Sequence, residues 1–134
     1  TIVANHGTLS AELIGLIEKY GAAIKYVDDT RKALAQLSAR AAGYPAQQLK
    51  IIGITGTKGK TTTSFLLEHM LTNLGYKTAR IGTVGNSING KNLAPTLTTP
   101  QPDYLQQFLA ACVKEGVTYV VMEVAAQALS MHRV

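Results

Sequence analysis

The sequence predicts an α/β fold in which helices cover both faces of a parallel β-sheet. Short β-branched runs alternate with stretches whose apolar residues recur at spacings of three and four, which is typical of strands alternating with amphipathic helices. One of these strands is separated from the next helix by a segment that contains two glycines. Ligands in such folds bind beyond the carboxyl ends of the strands, so functional residues are expected there.

The first part of the chain predicts two helices with a strand between them. Apolar residues recur at helical spacing over 9–20, which predicts the first helix. The apolar run 22–27 then predicts a short strand. Asp29 or Thr30 is a suitable cap for the second helix, which we expect to end at the Gly-Tyr-Pro sequence of 43–45.

The middle of the chain predicts a strand, a glycine loop and a helix in that order. The β-branched run 49–55 is short enough to be a buried parallel strand. The loop of residues 56–61 follows, and helical spacing continues over 61–74. The apolar face expected for that helix consists of Phe65, Leu66, Met70 and Leu74.

The remaining elements extend the predicted sheet. Residues 77–84 favour a strand, and the Asn-Gly pair at 89–90 predicts a hairpin turn. A helix is expected over about 101–115. The most β-prone stretch of the chain, 119–124, then predicts a strand that ends near Glu123.

Composition narrows the class of protein and its partners. The chain is 46% hydrophobic and 16% charged, and it has no apolar run of the roughly 20 residues that a membrane helix needs. Together with the lack of a secretory signal pattern, this predicts a cytoplasmic protein without a membrane partner. A net charge of +5 favours acidic ligands. Because the basic residues are scattered and aromatic residues are few, nucleic acid is not expected.

Residues 56–61 have the composition of a phosphate-binding loop. Glycines between a strand and a helix let backbone amides converge on a phosphate, and the helix N-terminus adds partial positive charge. Lys60 would reach the outer phosphates, and the Thr61 hydroxyl would coordinate Mg²⁺. Ile54 stands where the common motif has its first glycine, so the loop is a shortened variant. A plain glycine turn is the alternative, but the order of elements favours ATP binding and a P-loop NTPase-like sheet.

Glu123 is unusual because it ends a very apolar strand. A carboxylate in such a place must be solvated, paired or bound to a metal. A magnesium ligand that faces the loop and a strand-end acid open to water are both consistent with the sequence.

Four short motifs accompany the loop. The loop segment is Ile54-Thr55-Gly56-Thr57-Lys58-Gly59-Lys60-Thr61-Thr62-Thr63. The four motifs are Gly82-Thr83-Val84-Gly85, Thr98-Thr99-Pro100, Met122-Glu123-Val124 and His132-Arg133-Val134. In order and spacing, about residues 28–134 resemble the ATP-dependent Mur ligases. Within that family the chain is most similar to the UDP-N-acetylmuramoyl-tripeptide synthetase group (MurE type).

The resemblance implies an ATP-dependent carbon-nitrogen ligase of peptidoglycan precursor synthesis. Such an enzyme phosphorylates the terminal carboxylate of UDP-N-acetylmuramoyl-dipeptide with ATP and releases ADP. The amine of an incoming amino acid then attacks the acyl phosphate, giving an amide and phosphate. Which amino acid is added does not follow from this sequence.

The family's functional residues map onto matching positions of this chain. The resemblance implies catalytic roles for Lys60 and Glu123 and magnesium ligation by Thr61 and Glu123. It implies nucleotide binding by Gly56, Thr57, Lys58, Gly59, Lys60, Thr61 and Thr62. It implies contacts with the muramoyl substrate by Thr98, Thr99 and Arg133. A helix cap for Thr99 and a solvated surface charge for Arg133 are the alternatives.

The chain departs from the family pattern at two places. Ala125-Ala126-Gln127 stands where the family usually has two serines and a histidine, which puts substrate contacts there in doubt. Lys58 stands where the family often has Asn, and it adds positive charge beside the expected phosphates.

The resemblance also predicts the domain organisation. Residues 1–45 match a remnant of an N-terminal domain and a linker, and 46–134 match the N-terminal part of the central ATP-binding domain. We therefore expect an incomplete piece that is inactive alone and tends to self-associate. A related ligase of the folylpolyglutamate or cyanophycin synthetase type, or a nucleotide-binding module, is the alternative. The motifs at 98–100 and 132–134 favour the muramoyl type.

Overall fold

A computed structural model describes residues 1–94 and 97–134. Its strands are β1 (Ile2–Asn5), β2 (Ile24–Val27), β3 (Lys50–Ile54), β4 (Thr78–Ile81), β5 (Asn86–Ile88), β6 (Lys91–Leu93) and β7 (Tyr119–Glu123). Its helices are α1 (Ala11–Lys19), α2 (Thr30–Ala41), α3 (Lys60–Asn73), α4 (Pro102–Lys114) and α5 (Ala126–Ser130), with a 3₁₀ helix at Pro45–Gln48. The predicted α/β class is confirmed.

The strands of the described residues form two separate sheets. The larger has the order β3-β7-β4-β5-β6, and β1 pairs with β2 in the smaller. Strands β3, β7 and β4 are parallel, but β5 and β6 form an antiparallel hairpin at one edge. The parallel sheet that the sequence predicts therefore continues into an antiparallel hairpin at this edge. The predicted turn at Asn89 and Gly90 is confirmed, and both residues have the positive φ that such a turn requires.

The two faces of the larger sheet carry different side chains. On one face Val120 and Met122 of β7 join β4 and α4 in a hydrophobic core. The members contributed by β4 and α4 are Ala79, Ile81, Leu105, Phe108, Leu109 and Cys112. Because side chains alternate along a strand, Val121 and Glu123 point to the other face, where α3 packs on β7 and β4. Helices thus cover both faces of the sheet, as predicted.

Helix α3 does not bury the apolar face that its sequence predicts. Phe65, Leu66, Met70 and Leu74 are all exposed, whereas Ser64 is the residue buried against the sheet. The glycine loop fixes the orientation of the helix about its axis, and apolar residues occur on more than one side of it. Strand β3 also differs from expectation, because in the described residues it lies at the edge of the sheet and Ile51 is exposed.

A side chain caps each of the two N-terminal helices, and the cap of α2 is one of the two residues that the sequence predicts for it. Ser10 caps α1, and Asp29 caps α2 by accepting hydrogen bonds from the Arg31 and Lys32 amides. These bonds, the one from Lys32 first, lower the pKa of the Asp29 carboxyl. Strand β1 was not predicted, because its four residues give too short a pattern to identify.

Cys112 is a core thiol, as its position in a helical pattern suggests. It is fully buried in α4, and this burial raises the pKa of its thiol to about 12. In the described part of the chain, no helix has both the length and the apolar character needed to cross a bilayer.

Replacing Leu109 tests the core between β7 and α4. The side chain is 2% exposed, so Leu109→Ala should lower the free energy of unfolding by about 2–5 kcal/mol. Leu66→Ala on α3 is the matched control, because Leu66 is 59% exposed and its loss should cost no more than about 0.5 kcal/mol. Urea denaturation at low protein concentration measures both. Equal losses would contradict this assignment of the core.

The open edge of β3 and the apolar side of α3 generate a second prediction. Exposed strand edges and apolar patches favour association, so this chain should form dimers or larger species in light scattering. The double substitution of Leu66→Glu with Met70→Glu should shift the distribution of oligomeric states towards the monomer. A compact wild-type monomer at high concentration would refute the prediction.

Candidate functional site

The glycine loop leads directly from strand β3 into helix α3. Strand β3 ends at Ile54 and α3 begins at Lys60, with Gly59 as its N-cap. Gly56 has φ of 146° and Gly59 has φ of 82°, and residues with a Cβ adopt such values rarely. The two glycines therefore shape the turn that presents the amide groups of the helix N-terminus.

Lys60 lies across this loop. Its Nζ donates a hydrogen bond to the Gly56 carbonyl at 2.7 Å. The ammonium group is thus held beside the loop amides and not directed away from them. Thr57, Lys58 and Thr62 are exposed around the same turn.

Glu123 ends strand β7 beside the loop, and it is fully buried (0% exposed). The register pairs Glu123 with Ile54, the last residue of β3, so the carboxylate and the loop meet at one end of the sheet. Thr61 Oγ1 donates to Glu123 Oε2 at 3.0 Å. The structure therefore brings together the two residues that the sequence assigns to magnesium.

The burial of Glu123 argues against a strand-end acid open to water. Neither of the ion pairs found among residues 1–94 and 97–134 includes it, and its direct contacts are with hydroxyl and amide donors. A buried carboxylate without a basic partner is a favourable place for a cation. Mg²⁺ is commonly held by one or two carboxylates with substrate phosphates, and the oxygens of Thr61 and Glu123 fit such an ion. No cluster of three or more His, Cys, Asp or Glu side chains suited to a metal occurs in the described residues.

Thr83 also lies in the candidate site, although the sequence assigned it no role. Its backbone N–H donates to Glu123 Oε1 at 3.2 Å, and its Oγ1 donates to Glu123 Oε2 at 3.1 Å. Its hydroxyl also lies 3.0 Å from Thr98 Oγ1. Hydrogen bonds thus connect Thr61, through Glu123 and Thr83, to one of the predicted substrate residues. The position of Thr83, just after a strand that neighbours β7, was the signal that could have identified it.

Gly82 allows the carboxylate to come this close. A Cβ at this position would lie 2.3 Å from Glu123 Oε1, which is far inside van der Waals contact. Glycine at position 82 thus provides space and not an unusual backbone angle, because a larger residue there would displace the Glu123 carboxylate.

Thr99 contacts the backbone at the end of β7, and Arg133 contacts Thr99. The Thr99 hydroxyl donates to the Glu123 carbonyl and accepts from the Ala125 N–H, both at 2.9 Å. Arg133 Nη1 donates to the Thr99 carbonyl at 3.2 Å. Thr99 does not cap α4, since the N-cap of that helix is Gln101. Its hydroxyl instead ties the segment before α4 to the end of β7.

The residues that depart from the family pattern also lie near this end of the sheet. Ala125 is the N-cap of α5, and Gln127 is exposed on that helix. His132 lies 3.5 Å from an Asp29 carboxylate oxygen. The altered segment thus directly follows the strand that carries Glu123.

A comparison of this sequence with models of known protein families assigns the chain to one of them. The sequence model of the Mur ligase middle domain matches residues 54–134. The chain belongs to the Mur ligase family. The match begins at the last residue of β3 and covers the glycine loop, α3 and Glu123, so the resemblance inferred from the motifs is confirmed.

Relatives in this family are named UDP-N-acetylmuramoyl-L-alanyl-D-glutamate–2,6-diaminopimelate ligases. The one from Corynebacterium efficiens is 48% identical over 108 residues, which cover 81% of this chain and 20% of that protein. The one from Clostridium perfringens is 45% identical, with coverage of 81% and 22%. A solved structure of a ligase with the same name has 25% identity and a TM-score of 0.69, and the match covers 98% of this chain and 30% of that one. The chain spans about a fifth of the length of the curated relatives.

Filling the space beside Gly82 should damage the site of this Mur ligase chain. Gly82→Ala should cost about 1–3 kcal/mol of stability, since the new methyl group must displace the Glu123 carboxylate. Gly15→Ala is the control, because that glycine lies in α1 with nothing within 4 Å and should gain about 0.5–1 kcal/mol. Thermal unfolding measures both, and an unaffected Gly82→Ala protein would contradict the geometry described here.

Proposed function

We propose that this chain binds Mg²⁺ and ATP as part of an ATP-dependent Mur ligase. The observation that carries the proposal is the contact between Thr61 and the buried Glu123 at 3.0 Å, directly beside the glycine loop. A nucleotide-phosphate site needs amide donors, a lysine and oxygen ligands for a metal in one place. This end of the sheet supplies all three.

Each loop residue has a proposed role in the site. The backbone amides of 56–62 would donate to the phosphates, and Lys60 would leave the Gly56 carbonyl to contact the outer phosphate. Thr61 and Glu123 would hold Mg²⁺, which when bound offsets the charge of the transferring phosphoryl group. Lys60 and Glu123 are in this sense the proposed catalytic residues, since they place and neutralise the reacting phosphate. The exposed Lys58 would add attraction for the polyanion.

For the whole protein we propose amide-bond formation on a peptidoglycan precursor. The carboxylate of UDP-N-acetylmuramoyl-dipeptide would take the γ-phosphoryl group of ATP and release ADP. The amine of the incoming amino acid would then displace phosphate. The names of the relatives point to 2,6-diaminopimelate as that amino acid. A cytoplasmic setting, where ATP is available, is part of the proposal.

The muramoyl substrate is proposed to approach from the side of Thr98. This hydroxyl ends the hydrogen-bonded series that starts at Thr61, so it lies on the path between nucleotide and substrate. Thr99 and Arg133 are proposed to shape this side, with the Arg133 guanidinium suited to an oxyanion. The Thr99 hydroxyl is bound to the backbone, so its contribution would be to position neighbouring residues.

The proposed domain boundary lies near residue 45. Residues 1–45 contain the small β1-β2 sheet, and 46–134 contain the larger one. The family match at 54–134 lies inside the second part. On this proposal the chain alone lacks ligase activity, and it would act within a longer protein.

Removing the Lys60 ammonium should weaken nucleotide binding. A hydrogen bond from a charged group contributes about 1.5–3 kcal/mol, so Lys60→Ala should lower the affinity for ATP with Mg²⁺ about 10- to 100-fold. Lys58→Ala is the control, because it removes the same charge from an exposed position of the same loop and should lose far less. Titration calorimetry measures both variants. Equal affinity of wild type and Lys60→Ala would refute the phosphate site.

A chimera tests ligase function separately from binding. The matched segment of this chain would replace its counterpart in the Corynebacterium efficiens relative. We expect phosphate release that depends on the muramoyl dipeptide and on diaminopimelate, and its loss in the same chimera with Lys60→Ala. A folded chimera that binds ATP without this release would instead favour a nucleotide-binding module.

A further inference from the structure

Arg80 connects helix α3 to the loop that holds Glu123. It lies on β4, on the face of the sheet that α3 covers, and is only 3% exposed. Its Nε donates to Glu68 Oε2 of α3 at 2.9 Å. Its Nη1 donates to the Gly85 carbonyl at 3.0 Å. One guanidinium thus contacts both the nucleotide-loop helix and the 82–85 loop.

Neighbouring side chains hold this guanidinium in place. The Phe65 ring packs over it, with Arg80 Cζ 3.7 Å from the ring centroid. The Ser87 hydroxyl donates to Glu68 Oε1, so both oxygens of the partner carboxylate are engaged. The planar fork of arginine suits two acceptors in fixed directions, which a lysine cannot match. This arrangement fixes where the Gly85 carbonyl lies.

The loop that Arg80 holds is short and closed on itself. The Gly85 N–H donates to the Gly82 carbonyl at 3.2 Å, and the Gly82 N–H donates to Asn86 Oδ1 at 3.3 Å. Thr83 lies between these anchors and donates to both oxygens of Glu123. Any shift of the Gly85 carbonyl therefore changes the donors that orient the carboxylate.

We propose that Arg80 is a positioning residue for the metal-binding carboxylate. Through Gly85 it holds Thr83, and through Thr83 it holds Glu123 opposite Thr61. The same helix that begins with Lys60 thereby sets the orientation of the carboxylate across the site. This inference rests on the proposed role of Glu123 in binding Mg²⁺ with the nucleotide.

Hydrogen exchange tests the positioning without any nucleotide. Arg80→Lys keeps the charge but loses the fork, so the Thr83 amide should exchange at least about tenfold faster, while the Val120 amide in β7 should be unchanged. Lys77→Gln is the control, since Lys77 is a basic residue that lines the same cavity as Arg80 and should leave the Thr83 amide unaffected. Unchanged exchange at Thr83 in Arg80→Lys would overturn the proposal.

Calorimetry then tests the consequence for the metal. In Arg80→Lys the affinity for ATP with Mg²⁺ should fall about tenfold, while the affinity for ATP with excess EDTA should stay within about twofold, because the loop amides and Lys60 are untouched. Lys77→Gln should change neither. An equal loss under both conditions would show a merely structural role and overturn the proposal.

A second variant covers the case in which Arg80→Lys does not fold. Glu68→Gln keeps the size of the side chain that pairs with Arg80 but removes its charge. As in Arg80→Lys, the Thr83 amide should exchange faster, and the affinity for ATP with Mg²⁺ should fall. Circular dichroism verifies the fold of each variant. A wild-type chain that binds no ATP would refute the proposed function, and the Thr83 exchange rates would still decide whether Arg80 positions the loop.

Discussion

The candidate site depends on one hydrogen bond, from the Thr61 hydroxyl to the Glu123 carboxylate. Parallel pairing of β3 with β7 places the end of one strand beside the end of the other. The loop after β3 and the carboxylate that ends β7 are therefore neighbours, although 62 residues separate them. The residues proposed to bind a polyanion and its metal are brought together by sheet register and not by proximity in the chain.

A carboxylate as fully buried as that of Glu123 has a large desolvation cost. Hydrogen bonds from the Thr61 hydroxyl and from two Thr83 donors offset this desolvation cost. Gly82 leaves space for the carboxylate beside them. These donors carry no net charge, so a bound cation would supply positive charge beside the Glu123 carboxylate. They also join the nucleotide side of the site to Thr98. Electrostatic stabilisation and substrate placement thus share one network in the proposed ligase.

Two contacts of α3 with the rest of the site explain why this helix exposes apolar residues. The glycine loop fixes where the helix starts, and the Arg80 contact with Glu68 holds it further along. Together they fix the orientation of the helix about its axis, so Leu66 and Met70 face away from the sheet described here. An apolar pattern predicts that a helix packs on something, but it does not identify the surface on which it packs.

From the sequence we could predict the α/β class, the strand, loop and helix order around Lys60, the hairpin turn and the family. These follow from local patterns: β-branched runs, helical spacing, glycines and short motifs with fixed spacing. Three features became evident only in three dimensions: the edge position of β3, the antiparallel pairing of β5 and β6, and the contacts that Thr83 and Arg80 make. Strand order and side-chain contacts join residues far apart in the chain, and no local pattern records which of them meet. For that reason Glu123 stood out in the sequence, while the residues that orient it did not.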